Sequence, residues 1–403
     1  MSSALSNTLV NKIRAAVNPD RLVETAIALI EIPSPTRSAG AVADRLAALL
    51  AADGFAVERP AADWPEAPAV VVRFETGASG RILQFDGHLD TVHLPFIPPR
   101  HENGYLYGSG ASDMKGGIAA FVEALRVLRE TQSLPAGGLL LTAHDHHEGP
   151  WGDRRQVRAL IREGYVGDAV LLPEYLADRL PVAGRGMAIF EVAISRPGQP
   201  VHEVLRPPDL PDVLGTGAEL VLRCRALHER LRQKTLPYAG HDSIFIGRIA
   251  AGEIYNQSPT TCTLSGTRRW VTPGSSEAAQ AEFDQLLADL AQASGTQIKA
   301  EFTTPADAFR LELTEPLIAA FQAAHAAVAG APLPLGDKPF VDDGNAFAAW
   351  AGIPALTHGP DAKGAHTLQE QVAVSELVRV AQVYALTAIG YCPLPPVERT
   401  TTN

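Results

Sequence analysis

The chain has 403 residues, 46% of them hydrophobic, and a formal net charge of −11. Its length exceeds one compact core and predicts about two domains, while the acidic balance without a basic cluster argues against a nucleic-acid surface. Three cysteines, Cys224, Cys262 and Cys392, are scattered without Cys-x-x-Cys spacing, which argues against a disulfide framework or a thiolate zinc site. Neither an apolar leader segment nor a run of about 18 apolar residues occurs, so a soluble, cytoplasmic chain with no membrane partner is expected.

In chain order, the apolar spacing predicts helices over 20–30 and about 41–52, the first ended near Pro33 and Pro35. Strands are predicted over 70–74 and 81–85, a helix over 117–131 and a strand over 138–143. Strands alternating with helices indicate an α/β domain with a mostly parallel, covered sheet. The pattern changes near Val182. A strand (187–195), a helix (212–232), two strands (243–249 and 261–271), a helix (275–293) and a strand (297–303) follow. That order is the split βαβ, ferredoxin-like α+β module, read as an insertion. A helix over 316–329, a short strand over 353–356 and a closing helix over 371–389 return to the first style. The expected division is a catalytic domain of residues 1–181 and 306–403 and an inserted domain of 182–305.

Carboxylates and imidazoles collect where strands of this sheet end, the place where open α/β sheets bind ligands. His88 and Asp90 follow the strand at 81–85, spaced so that an extended end would turn both to one side and let Asp90 orient His88. Asp113 stands in a glycine-rich turn just before a helix, where capping is its ordinary role. His144-Asp145-His146-His147-Glu148 follows the strand at 138–143, and so many polar groups at one strand end are costly to explain as packing. Glu174 follows the apolar run 170–172, and His366 lies in a loop before the last helix. Oxygen and nitrogen donors without thiolate suit zinc, manganese or cobalt.

The segments Gly87-His88-Leu89-Asp90-Thr91-Val92, Gly108-Ser109-Gly110-Ala111-Ser112-Asp113-Met114-Lys115-Gly116-Gly117 and Ala365-His366-Thr367 resemble the dinuclear-metal hydrolase family of acetylornithine deacetylase, succinyl-diaminopimelate desuccinylase and glutamate carboxypeptidase. The resemblance runs from about Arg21 to Ile389. It implies a zinc-exopeptidase-like catalytic domain with the insert as lid and dimerisation domain, hence a homodimer. It also implies one or two divalent metal ions, with Asp113 bridging, His88 and Glu174 completing one site, Glu148 and His366 the other, and Asp90 supporting His88. The family carries two adjacent glutamates, a general base and then a ligand; here His147-Glu148 stands instead. His147 is then a base candidate, since a neutral imidazole accepts a proton near pH 7. Glu148 as base with His147 or His146 on the metal, and a weak or empty second site, are the alternatives.

In the insert, His202 resembles the family histidine that stabilises the oxyanion, and Asn256 and Arg269 resemble positions that hold substrate polar groups, an arginine fork suiting a carboxylate. The implied reaction is metal-assisted hydrolysis of a carbon–nitrogen (amide) bond in a small carboxylate-bearing substrate, such as an N-acyl amino acid or dipeptide-like compound. An aminohydrolase acting on an amino-substituted aromatic or carbamoyl compound, and a catalytically silent metal-binding relative, are the competing readings.

Overall fold

The computed structural model describes residues 5–397, which form two compact units. Within the described residues the first comprises 5–182, Leu311–Gly336 and 342–397, and the second Ala183–Arg310 with Asp337–Val341.

A six-stranded sheet organises the first unit, in the order Val57–Glu58, Val70–Glu75, Gly138–His144, Ile82–His88, Ala169–Leu172, Ala355–Thr357. Its last four strands run parallel to their neighbours, and the two at the other edge are antiparallel. Every residue of Gly138–His144 is buried, because both faces of the sheet are covered; this is why the central strands read as unbroken apolar runs rather than alternating ones. On one face Phe85 stacks on Phe121 of helix Lys115–Thr131 at 4.4 Å, and Phe121 meets Tyr384 of helix Val374–Tyr391 at 4.6 Å. On the other, Leu140 and Val71 pack with Ala159 and Leu160 of helix Arg155–Arg162, an element absent from the sequence prediction.

The strand predicted to stop at Phe85 runs on to His88, which stands in register opposite His144. Two imidazoles therefore leave the sheet side by side. The last helix begins at Val374, three residues late, because Gln371–Ala373 pairs as a strand with Tyr105–Tyr107.

In the second unit the strand order is Ser243–Ala251, Thr261–Trp270, Gly186–Ser195, Gln297–Ala306, all antiparallel, with helices Val213–Leu231 and Ser276–Ser294 between them in sequence. Burial alternates along Gly186–Ser195: Phe190, Val192 and Ile194 face Leu220, Leu227 and Phe283 of the helices, the period expected of a sheet covered on one side. This is the ferredoxin-like order. Cys224, Cys262 and Cys392 are buried free thiols. Among the described residues no helix is long and apolar enough to cross a membrane.

Candidate metal centre

Four chain segments leave the C-terminal edge of the parallel strands and converge. His88 ends its strand, fully buried, and its Nδ1 hydrogen-bonds the backbone carbonyl of Asp90 at 2.9 Å. That bond leaves Nε2 as the outward atom, 3.3 Å from Asp113 Oδ1 and 4.0 Å from Glu174 Oε1. The Asp90 carboxylate does something other than the spacing suggested: it stands 3.8 Å from His88 Nδ1 and instead accepts the backbone N–H groups of His147 (3.1 Å) and Glu148 (2.9 Å). The alternation rule fails because the strand has already ended.

Asp113 does not cap the following helix; the cap position falls to Met114, which makes no side-chain cap bond. The turn is held from the far end of the chain by Glu370, whose carboxylate accepts Gly110 N, Ser112 N, Ser112 Oγ and Asp113 N at 2.9–3.2 Å. The Asp113 carboxylate then turns Oδ1 to His88 and Oδ2 to His366 Nε2, 3.2 Å away. His366, in a left-handed conformation (φ 61°), also lies 3.2 Å from Glu148 Oε2. Glu174 reaches the cluster because Gly117 and Gly359 crowd the turn that carries it: a Cβ at Gly117 would meet Pro173 O at 2.3 Å, and one at Gly359 would meet Glu174 O at 2.0 Å.

This arrangement fits a divalent cation. His88 Nε2, Asp113 Oδ1 and Glu148 Oε1 are buried and make no hydrogen bond, a costly state unless another partner satisfies them. Ligands ~2.05 Å from a tetrahedral zinc stand roughly 3.3 Å apart, and the spacings along His88, Asp113, His366 and Glu148 are 3.2–3.3 Å. The charges agree. Burial and then the Asp113 charge push the Glu174 carboxyl well above its usual range, while hydrogen bonds to Asp113 and Glu148 raise His366 to about 10. The cluster holds more negative charge than its imidazoles balance, which a cation corrects.

The three histidines of the 144–147 run diverge. His146, also in a left-handed conformation (φ 71°), turns away, its ring 4.5 Å from Trp64 and its Nδ1 3.1 Å from Asp153 Oδ1; it is no ligand candidate. His147 lies flat on His88, ring centroids 3.9 Å apart and 9° from parallel. Its Nδ1 is 2.6 Å from Asp343 Oδ2, and its Nε2 is 3.9 Å from Glu174 Oε1. His144 lies below, with Nε2 3.3 Å from Asp86 Oδ2 and 3.6 Å from Asp343 Oδ2. Arg154 Nε donates to Asp343 Oδ1 at 3.0 Å, and Thr142 Oγ1 donates to Asp86 Oδ1 at 2.5 Å. Burial would raise the Asp343 carboxyl, but His147, Arg154 and His144 hold it well below the usual range. Burial likewise opposes charge on His144, yet Asp86 and Asp343 raise it to about 9. Asp343 went unnoticed in the sequence; its one signal was the acidic pair Asp342-Asp343 before Gly344.

In the second unit, His202 is exposed at a strand end and its Nδ1 accepts Val204 N at 3.4 Å. Its Nε2 lies 3.2 Å from Asn256 Nδ2. Arg269 has a buried Nη1 without a hydrogen-bond partner, and burial and then Arg185 hold its pKa down.

Residues 85–389 match the model of Peptidase family M20/M25/M40. The chain is 27% identical over 395 residues to succinyl-diaminopimelate desuccinylase of Methylobacterium sp. (strain 4-46), covering 92% of this chain and 96% of that one. It superposes on the crystal structure of aminopeptidase PepT from Bacillus cereus with TM-score 0.79 at 20% identity, over 93% and 99% of the two chains. A dinuclear metal binding peptidase of the M20 family from Bacillus subtilis gives TM-score 0.68 at 14% identity, over 92% and 97%. The chain belongs to Peptidase family M20/M25/M40 and is a metal-dependent hydrolase acting on carbon–nitrogen bonds.

Proposed function

We propose that the protein hydrolyses the amide of a small N-acylated, carboxylate-bearing amino compound at a two-ion centre, with His147 as general base. The observation that carries this reading is the Asp113 carboxylate, whose two oxygens face two different imidazoles, His88 and His366. Asp113 would bridge, with His88 and Glu174 on one ion and Glu148 and His366 on the other. Zinc, manganese or cobalt suits these donors, and when bound the metal lowers the pKa of a water and polarises the substrate carbonyl. The protein's own groups do the rest. His147, ring plane fixed by His88, takes a proton from the attacking water and returns it to the leaving nitrogen. By resemblance, His202 donates to the developing oxyanion, while Asn256 and Arg269 take substrate polar groups. The Arg269 nitrogen without a hydrogen-bond partner supports a carboxylate there.

A second reading has one observation in its favour. His88, His147 and Glu174 offer atoms within 4.8 Å of one another, so His147 could be a ligand instead of a base. Metal content separates the two, since His147→Ala keeps its metal only if His147 is the base.

The inserted unit would also form a homodimer. Its edge strand Ser243–Ala251 leaves Phe245 and Ile249 exposed, as an edge awaiting a partner does, and mass measurement in solution tests this. For the activity, the test is a panel of N-acyl amino acids, N-succinyl compounds first because of the desuccinylase relative, with dipeptides and aryl amines beside them. His147→Ala is expected to keep its metal and lose ~10²–10⁴-fold in kcat, with His147→Glu recovering part of it. Full activity in His147→Ala would end the base assignment. Ammonia from an aryl amine, with no turnover of any amide, would favour the aminohydrolase reading.

A further inference from the structure

Resting on the reading of His147 as base, we infer that Asp343 is a positioning residue that fixes the proton of His147 on Nδ1 and so leaves Nε2 as the proton acceptor. Asp343 begins a short helix, Asp343–Ala346, capped by Asp342, whose Oδ1 accepts Gly344 N at 2.8 Å. Gly344 lets that turn sit against the sheet, since a Cβ there would come 2.9 Å from Leu172 Cδ1. The carboxylate is thereby divided between two donors: Oδ1 takes Arg154 Nε at 3.0 Å and Oδ2 takes His147 Nδ1 at 2.6 Å. An ionised carboxylate can only accept, so His147 Nδ1 carries hydrogen and a neutral ring has its lone pair on Nε2.

Asp86, His144 and Asp343 also lie close enough to hold a cation, but the neighbouring groups argue for a closed ion network. His144 Nδ1 donates to the Asp145 carbonyl at 3.2 Å, and its Nε2 faces only the carboxylates of Asp86 and Asp343. Both nitrogens therefore donate, and the ring is an imidazolium. Two carboxylates are then matched by two cations, His144 and Arg154. In the reaction, His147 Nε2 takes one proton from water as the carbon–oxygen bond forms and gives it to nitrogen as the carbon–nitrogen bond breaks. Asp343 stays ionised throughout, orienting the ring and stabilising its transient charge.

Asp343→Asn tests this because the amide has only one acceptor oxygen. The Arg154 guanidinium claims that oxygen, so the amide N–H2 turns to His147 and drives its proton to Nε2. Side-chain ¹⁵N spectra of the metal-free protein should show His147 protonated on Nδ1 in the wild type and on Nε2 in Asp343→Asn. With metal restored, Asp343→Asn should lose ~10²–10⁴-fold in kcat with KM little changed, and adding it to His147→Ala should cost nothing more. A wild-type His147 without hydrogen on Nδ1, or an equal loss in the His147→Ala background, would overturn the inference. If His147→Ala is fully active the base reading itself fails; if only Asp343→Asn is fully active, this inference alone fails.

Discussion

Two clusters of carboxylates and imidazoles lie side by side at the sheet edge, buried apart from the exposed His366 of one and the half-buried His147 of the other, and they behave differently. In one, His88, Asp113, Glu148, Glu174 and His366, three buried polar atoms make no hydrogen bond and carboxylates outnumber the charges that balance them. In the other, Asp86, His144, Asp343, Arg154 and His147, each carboxylate oxygen has a donor and an arginine supplies fixed positive charge. Distances do not separate them, since both hold atoms within 4.8 Å. What separates them is whether the protein has already satisfied its own charges: the first cluster needs an ion, and the second is built to hold an imidazole.

The largest effect expected from breaking this contrast is at Asp113. Asp113→Asn removes the shared carboxylate, and hydrolysis should fall to background with metal affinity down by more than ~100-fold, the upper range for groups that only support ligands; plasma mass spectrometry of the dialysed protein reads it. Arg154→Met should act on stability. It leaves the buried Asp86 and Asp343 carboxylates with His144 as their one balancing cation, costing about 3–5 kcal/mol in urea unfolding, whereas metal content stays at the wild-type level. If Arg154→Met instead lost metal, the two clusters would not be separate.

A pH series sharpens the comparison further. The folded pKa of His144, about 9, lies above its ordinary 6.5. Its contribution is therefore complete below about pH 6.5 and is lost as pH rises through about 9, up to about 3 kcal/mol. Between pH 6 and pH 10 the wild type should lose that much more unfolding free energy than His144→Gln; parallel curves would show that His144 is not an imidazolium. The smallest effect is at Glu370, where Glu370→Gln replaces charged hydrogen bonds to the Asp113 turn by neutral ones. About 1–3 kcal/mol of stability should go, seen as a lower melting temperature.

Much of this was legible in the chain. Three of the five proposed ligands, His88, Glu148 and Glu174, follow an apolar run, so their strand ends could be placed from periodicity, and the insert's strand-helix order identified its ferredoxin-like sheet. Long-range pairing was not legible. Asp343 lies 196 residues from His147 and Glu370 lies 260 from Gly110, and nothing local distinguishes a carboxylate that will meet an imidazole from one that caps a turn. His146 and His147 are adjacent, yet the left-handed backbone at His146 sends them in opposite directions. Asp90 shows the same limit on a shorter scale, since the two-residue alternation ends with the strand at His88.

The contrast between the two clusters is tested most directly by the anomalous scattering of crystals soaked in zinc, recorded on both sides of its absorption edge. Signal among His88, Asp113, Glu148, Glu174 and His366, with none among Asp86, His144 and Asp343, is the predicted result; a zinc ion between Asp86 and Asp343 would contradict it.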